Sequence, residues 1–494
     1  MHSRRLIVLG FSAAFFLLAL LSGPPSFDAT DGAEFAVCGS EMQIAHAPGY
    51  PLFLMLVRIF STIFSPLYGH LRILNCVLGA AAMAVGVTAF KKAGIAFYPA
   101  LAGSVLFLTS APVMSQLNSL EVYPLAILLV LAAMALKDSR LAGYASGMAL
   151  LAGHPVSFLS SPLFLSFKKR WTANLAFLIP ASLYLYIPIR SGASRTAHYG
   201  HPGSLDTLFS YFTMYSGRLD APSVERLFRA LSFIGIPGGI VFILLAAAGG
   251  RFSAKRDIPG ILALLFLASY ELPDPAGQLW IFLLPLSLRS ASGIEFLWKR
   301  AAVYKTLAIL MVLTAAVSGV VASDRTDDDI AMRWTSDVMT SLPRGSIYRP
   351  VAHDVFYAAY AQNILGFRQD ILLSDPFGNY FEFSPPGLIP PMVGERTVHI
   401  SRAWNREDDF SLHGLIFSAA GLERLPIVWN QLSIFDFNGN SPDPMAIDIV
   451  AEAWVRRMIQ EENPVLRDSF YMKAIEFSET PITRRRIENI KEIF

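Results

Sequence analysis

The sequence is poor in charged residues and in cysteine. Only 16% of its 494 residues are Asp, Glu, Lys or Arg, against about 25% in a typical soluble domain. Its two cysteines, Cys38 and Cys76, exclude a disulfide scaffold and a cysteine zinc site. They leave open a single bridge between them or a buried thiol at Cys76. A net charge of +2, with no basic stripe in the tail, excludes a nucleic-acid partner.

Long apolar runs take the place of the missing charge and predict a polytopic α-helical membrane protein. The runs lie at about 6–22, 71–90, 95–112, 123–136, 141–167, 173–189, 232–248, 258–270, 278–290 and 303–322. Clusters of Lys and Arg fall at alternate ends of these runs, as expected if each cluster marks a cytoplasmic loop. This alternation predicts about 11 helices, provided that two segments are not counted as single membrane spans. Residues 51–66 then form an amphipathic helix on the outer surface, and 141–167 form two short helices broken at His154-Pro155.

The acidic residues divide the chain in two. Residues 1–323 contain 13 Asp and Glu, whereas 324–494 contain 25. We therefore predict a membrane domain at 1–322, with a first external loop at about 23–70, and an extracytoplasmic α/β domain at 323–494. The predicted strands of that domain are Ser346–Val351, Ile371–Ser374, Thr397–Ile400, Pro426–Trp429 and Leu432–Phe437, and its predicted helices are 353–365 and 446–460.

The first external loop is rich in groups that carry chemistry. Asp28, Asp31, Glu34, Glu41 and His46 all follow closely on the first apolar run. Acids held at the edge of hydrocarbon are costly and usually functional. Asp31 and Glu34 are three residues apart, so a helix would place both on one face.

The same loop carries a family resemblance. Asp31-Gly32-Ala33-Glu34-Phe35, followed by His46-Ala47-Pro48-Gly49-Tyr50-Pro51-Leu52, resembles the Asp-x-Gly-Glu-Phe … His-Pro-Pro-Gly-Tyr-Pro-Leu signature of one branch of the GT-C membrane glycosyltransferases. That branch includes the protein O-mannosyltransferases that modify plexin-type receptors, and bacterial members. Weaker matches are Arg72–Asn75, Glu121–Tyr123, Gly153-His154, Tyr186–Arg190, Asp274 and Tyr357–Asp370. Ala33, Ala47 and Ala152 depart from the family pattern.

The resemblance implies a multi-pass enzyme with a GT-C-like fold, in a bacterial inner membrane with its tail in the periplasm or outside. It would transfer a sugar, mannose for example, from a polyprenyl-phosphate donor to a protein or glycan hydroxyl at the outer face. Its partners would be membrane lipid, the lipid-linked donor and the acceptor. No cofactor or metal is expected, because arginine can neutralise a monophosphate leaving group. The alternative is a flippase or transporter of lipid-linked sugars without transferase activity.

The resemblance also suggests roles for single residues. Asp31 would be the catalytic base, or alternatively the N-cap of a helix in a capping box with Glu34. Glu34 would orient Asp31 or bind a sugar hydroxyl, or be a simple surface acid. His46 would contact the phosphate or sugar, or hold its own turn, and Tyr50 would contact substrate.

The remaining candidates are polar residues near the outer ends of predicted helices. Arg72 and Arg190 would bind the leaving phosphate or snorkel to lipid headgroups. For Arg58, snorkelling is the preferred interpretation. Glu121 and Tyr123 would line the acceptor cleft, or Glu121 would pair with an external arginine. His154 is interpreted mainly as a satisfied buried histidine, with substrate binding as the alternative. Asp274 falls where the family carries an acid.

Overall fold

The architecture comes from a computed structural model. It describes residues 2–137, 139–152, 157, 159, 175–193, 202–213, 220–250, 253–270, 275–351, 353–374, 392–393, 396–401, 410–413, 415–419, 429–437, 443–480, 483–485 and 487–488.

Helices make up the described part of the first 322 residues. They are α1 His2–Leu21, α2 Gly32–Glu41, α3 Pro51–Ile63, α4 Tyr68–Lys92, α5 Phe97–Leu108, α6 Ala111–Leu117, α7 Tyr123–Ala135, α8 Arg140–Ala152, α9 Leu178–Ala181, α10 Tyr186–Ala193, α11 Leu205–Thr213, α12 Val224–Ser232, α13 Ile236–Ala248, α14 Ala254–Ser269, α15 Ala276–Trp298 and α16 Ala302–Ala322. Both cysteines are buried free thiols, so they form no bridge.

Four described helices, α1, α4, α15 and α16, are long and apolar enough to cross a membrane. The number rises to six if each of two bent pairs, α5 with α6 and α12 with α13, forms one span. The first pair bends by 73° inside the apolar run at 95–112, whereas the second bends by 101° at the start of the apolar run at 232–248. Pro112 lies in the first turn of α6 and Gly235 has φ +73°. The break predicted at His154-Pro155 lies outside the described residues, and the count of 11 helices stays a prediction.

The C-terminal part contains helices and a six-stranded mixed sheet. Its helices are α17 Ile330–Ser341, α18 Asp354–Asn363, α19 Pro444–Ile459 and α20 Pro464–Glu476, and its strands are β1 Ile347–Arg349, β2 Leu372–Leu373, β3 Met392–Val393, β4 Arg396–Ile400, β5 Phe410–His413 and β6 Ile416–Ala419. The sheet order is β2-β1-β4-β6-β5, with β3 paired to β4. Strand β1 runs parallel to β2 and β4, and the remaining pairs are antiparallel.

One predicted strand is wrong. Within Leu432–Phe437 the chain forms a short 3-10 helix, Ser433–Asp436. The Asp337 carboxylate accepts hydrogen bonds from the Ser433 hydroxyl and the Ile434 N–H, at 3.0 and 2.8 Å, and these contacts hold the turn. Of the predicted strand Pro426–Trp429 only Trp429 is described, and it starts another 3-10 turn.

A buried ion cluster joins the loop that follows α1 to the C-terminal part. The Arg325 guanidinium contacts Asp28 of the loop at 3.3 Å, Asp328 at 2.8 Å and Asp443, the N-cap of α19, at 2.8 Å. All four side chains are at most 5% exposed. Burial raises the pKa of Asp28 although Arg325 opposes the shift. The carboxylates raise the pKa of Arg325 well above its usual value despite its burial.

Helix α18 packs directly on the same loop. The Tyr357 hydroxyl donates to the Ala29 carbonyl at 2.5 Å, and the Tyr360 hydroxyl accepts from the Tyr68 N–H at 2.8 Å. Both tyrosine rings also contact the ring of Phe27, with centroids 5.3 and 5.0 Å apart. The loop is therefore held from the C-terminal side by hydrogen bonds, aromatic contacts and the ion cluster together.

The turn between α2 and α3 is held from the other side. The Tyr211 hydroxyl of α11 donates to the Ala45 carbonyl at 2.6 Å, and the Tyr186 hydroxyl of α10 donates to the Met42 carbonyl at 2.8 Å. Gly49 adopts φ +88°, and a Cβ built there would lie 2.7 Å from the Tyr211 hydroxyl and 2.9 Å from Ile187 Cδ1. The glycine is required both by the backbone conformation and by the space.

We expect Arg325→Ala to destabilise the protein by about 3–5 kcal/mol, because it leaves buried carboxylates without their cation. Arg333→Ala is the control: it removes a part-exposed pair with Asp329, which contributes about 0–1 kcal/mol. Thermal unfolding in detergent measures both variants. Equal shifts in the two would contradict a structural role for the cluster.

Gly49→Ala should lose stability through both backbone strain and overpacking, the latter worth about 1–3 kcal/mol. Gly94→Ala is a matched control, since Gly94 has φ +95° but no atom lies within 4 Å of its built Cβ among the described residues. Gly94→Ala should therefore lose only the backbone component, roughly 1 kcal/mol. If thermal unfolding shows no greater loss for Gly49→Ala, the packing around the turn is looser than described.

Candidate active site

Helix α2 places the two acids of the motif on one face, as predicted. Asp31 occupies the N-cap position, but its side chain makes no capping hydrogen bond, so the capping alternative does not account for it. Its side chain is 30% exposed. Glu34, one turn later, is buried. The exposed acid is therefore free to meet a substrate, whereas the buried acid needs protein partners.

His46 is the partner of Glu34. Oε1 of Glu34 accepts the His46 backbone N–H at 2.6 Å, and Oε2 lies 2.7 Å from Nδ1 of the imidazole. Because an ionised carboxylate only accepts, Nδ1 carries the proton in this pair. In the neutral ring Nε2 then accepts from the Tyr50 hydroxyl, 3.1 Å away. Glu34 and Tyr50 thus fix both the orientation and the tautomer of His46.

Asp31 lies between two imidazoles. Nε2 of His46 is 3.7 Å from Oδ2, and Nδ1 of His353, just before α18, is 3.8 Å from Oδ1. Both distances exceed those of a hydrogen bond, so the carboxylate has histidine neighbours on both sides and no close side-chain hydrogen bond to either. This arrangement suits a carboxylate that takes up a proton from a bound hydroxyl.

Asp31, Glu34 and His46 also form a set of metal-type ligands. One ligand atom from each lies within 4.8 Å of the others. Both nitrogens of His46 already face protein partners, Glu34 and Tyr50. A divalent ion on Nε2 would have to displace the Tyr50 hydroxyl, whereas a carboxylate on Nδ1 is a partner that metal-ligating histidines also have. The absence of a metal stays a prediction.

Arg72 and Arg190 are engaged with the main chain. Arg72 is buried and donates to the carbonyls of Ala19, Leu20 and Asn118 at 3.0–3.2 Å. Arg190 donates to the carbonyls of Met42 and Glu41 at 2.6 and 3.3 Å. These contacts favour structural roles, and phosphate binding by either residue stays a prediction. Arg58 likewise donates to the Ser40 carbonyl.

Glu121 and Tyr123 lie behind the acidic loop. Oε1 of Glu121 is 3.0 Å from the Thr30 hydroxyl, which also lies 2.9 Å from Oδ1 of Asp28. The Tyr123 hydroxyl accepts from Gln278 at 2.7 Å. Glu121 is buried and supports Thr30, the residue before Asp31. A role of Glu121 and Tyr123 in the acceptor cleft stays a prediction.

The remaining site residues divide into two groups. His154 and Asp274 lie outside the described residues, and their roles stay predictions. His353 and Arg325, by contrast, were missed in the sequence. Neither stands in a motif, and only the i, i+3 spacing of Arg325 and Asp328 signals a pair.

Comparison with known proteins matches both the motif region and the fold. Residues 31–142 match the family model of the protein O-mannosyl-transferase TMEM260 N-terminal domain. This segment contains Asp31, Glu34, His46, Tyr50, Arg72, Glu121 and Tyr123. No curated protein matches the chain.

Two solved structures of ArnT from Cupriavidus metallidurans resemble the chain. The one bound to undecaprenyl phosphate has a TM-score of 0.51 at 12% identity, covering 74% of this chain and 89% of that one. The apo structure has the same TM-score and identity, covering 71% and 83%. At this identity the likeness shows the fold alone. The fold likeness and the match at residues 31–142 together support a GT-C-fold membrane glycosyltransferase.

Proposed function

We propose that the protein transfers a sugar, with mannose the first candidate, from a polyprenyl-phosphate donor to a hydroxyl of a protein or glycan. The reaction takes place at the outer face of a membrane, in bacteria the inner membrane, with the C-terminal part in the periplasm. The observation that carries the proposal is the grouping of part-exposed Asp31 with buried Glu34 and its part-buried partner His46. The O-mannosyl-transferase match supports the sugar and the acceptor class, and the fold likeness to a protein bound to undecaprenyl phosphate supports the donor.

In this reaction the acceptor oxygen attacks the anomeric carbon and the bond to the phosphate breaks. Asp31 takes the proton of the acceptor hydroxyl, and the lipid phosphate leaves with the bonding electrons. Glu34 keeps His46 in one orientation, with its Nε2 3.7 Å from Asp31. His46 and the Tyr50 hydroxyl then line the sugar side of the site.

The defining experiment supplies purified protein with polyprenyl-phosphate sugars and an acceptor, and it measures the release of lipid phosphate. Asp31→Asn keeps the shape of the side chain but removes the base, so transfer should fall roughly 10²-fold or more while thermal stability is retained. Asp327→Asn is the control. Asp327 is an exposed acid between α16 and α17, so its substitution should leave transfer unchanged. Near-normal transfer by Asp31→Asn would end the assignment of this residue as base.

We further propose that transfer needs no metal ion, since the Tyr50 hydroxyl already faces Nε2 of His46, the nitrogen that a metal would bind. Transfer should therefore be the same in excess EDTA as in added Mg²⁺ or Mn²⁺. Loss of transfer in EDTA, restored by a divalent ion, would contradict the hydrogen-bonded site and favour metal binding by Asp31, Glu34 and His46.

A further inference from the structure

His353 brings a side chain from the C-terminal part to Asp31. It directly precedes α18, and its Nδ1 lies 3.8 Å from Oδ1 of Asp31. This nitrogen is shielded from solvent and makes no hydrogen bond within the described part of the chain. The ring stacks beside Tyr357, with centroids 6.4 Å apart and planes at 23°.

The position of His353 is fixed by the residues that follow it. Tyr357 is one turn further along α18 and is hydrogen-bonded to Ala29, two residues before Asp31. Tyr360, almost one turn beyond, holds the start of α4 through the Tyr68 N–H. Because α18 is anchored to the loop at these points, His353 and Asp31 are held as neighbours by both chain segments.

The two imidazoles beside Asp31 differ in their freedom to move. His46 is held at both ring nitrogens by Glu34 and Tyr50. His353 is 35% exposed, and its described side-chain contacts are the stacking on Tyr357 and the approach to Asp31. Hydrogen bonds at active sites are often long before substrate binds and shorten in the substrate complex. A shift of about 1 Å would bring His353 into hydrogen-bond distance.

We propose that His353 is a positioning residue for the transfer reaction. When substrates are bound, its Nδ1–H donates to Oδ1 of Asp31 and holds the carboxylate, so that Oδ2 receives the proton of the acceptor hydroxyl. His353 itself neither gains nor loses a proton in this step. The inference rests on the proposed function, and it makes the C-terminal part a contributor to the active site.

Three substitutions separate the effect of the Nδ1 donor from the effect of the stacked ring. His353→Asn keeps an N–H donor near the position of Nδ1 but loses the ring, His353→Phe keeps a ring that can stack on Tyr357 but has no donor, and His353→Ala loses both. The proposal predicts that kcat falls roughly 10- to 100-fold in the Phe and Ala variants, as on removal of other orienting partners. The Asn variant should retain several times more activity than either. The KM for the donor should stay unchanged, since His353 holds the Asp31 carboxylate and is not proposed to contact the donor.

The control is His70→Ala, since His70 is exposed near the start of α4. If His353 had only a structural role, the Phe variant would retain more activity than the Asn variant, and the losses of activity would parallel the losses of thermal stability. This result would overturn the proposal. Unchanged kcat in all three variants, or unfolding of all three, would also overturn it. A wild-type protein that uses no polyprenyl-phosphate sugar would overturn the proposed function and this inference together. An active wild type whose His353 variants have unchanged kcat would overturn only the inference.

Discussion

The fold of the candidate site depends on the buried contacts of Arg325. One guanidinium contacts Asp28 from the loop after α1, Asp328 from the turn between α16 and α17, and Asp443 from the start of α19. Buried carboxylates without a cation are strongly unfavourable. The loop and the C-terminal part therefore have to be close together in the folded protein.

The other contacts of the loop turn this attachment into a defined geometry. Tyr357 and Tyr360 hold its backbone and the start of α4, while Tyr186 and Tyr211 hold the turn that carries His46. Asp31 then lies at the junction, with one histidine from each side of it. The catalytic proposal follows from this placement, because a base needs to be both accessible and oriented.

The sequence predicted the parts of this site that are local. Asp31, Glu34 and His46 stand in one motif within 16 residues, and the apolar runs predicted most helix cores, including α4, α7, α15 and α16. Helix breaks were harder to predict. The bend between α5 and α6 falls at Thr109 and Ser110, inside the apolar run at 95–112. The strand predicted at Leu432–Phe437 failed because the Asp337 carboxylate, about 100 residues away in the chain, holds a turn there.

The contacts between distant segments could not be predicted from the sequence. Tyr357 reaches Ala29 across 328 residues, and no local pattern marks His353 as a neighbour of Asp31. The main-chain contacts of Arg72 and Arg190 could not be predicted for the same reason, since the carbonyls that accept from them belong to other segments.

We propose that sugar transfer takes place at Asp31, between the membrane helices and the C-terminal part. An experimental structure of the Asp31→Asn protein with a polyprenyl-phosphate sugar trapped in it tests this placement. We expect the anomeric carbon beside residue 31, with the sugar against His46 and Tyr50. A donor bound away from this loop, with its sugar out of reach of residue 31, would contradict it.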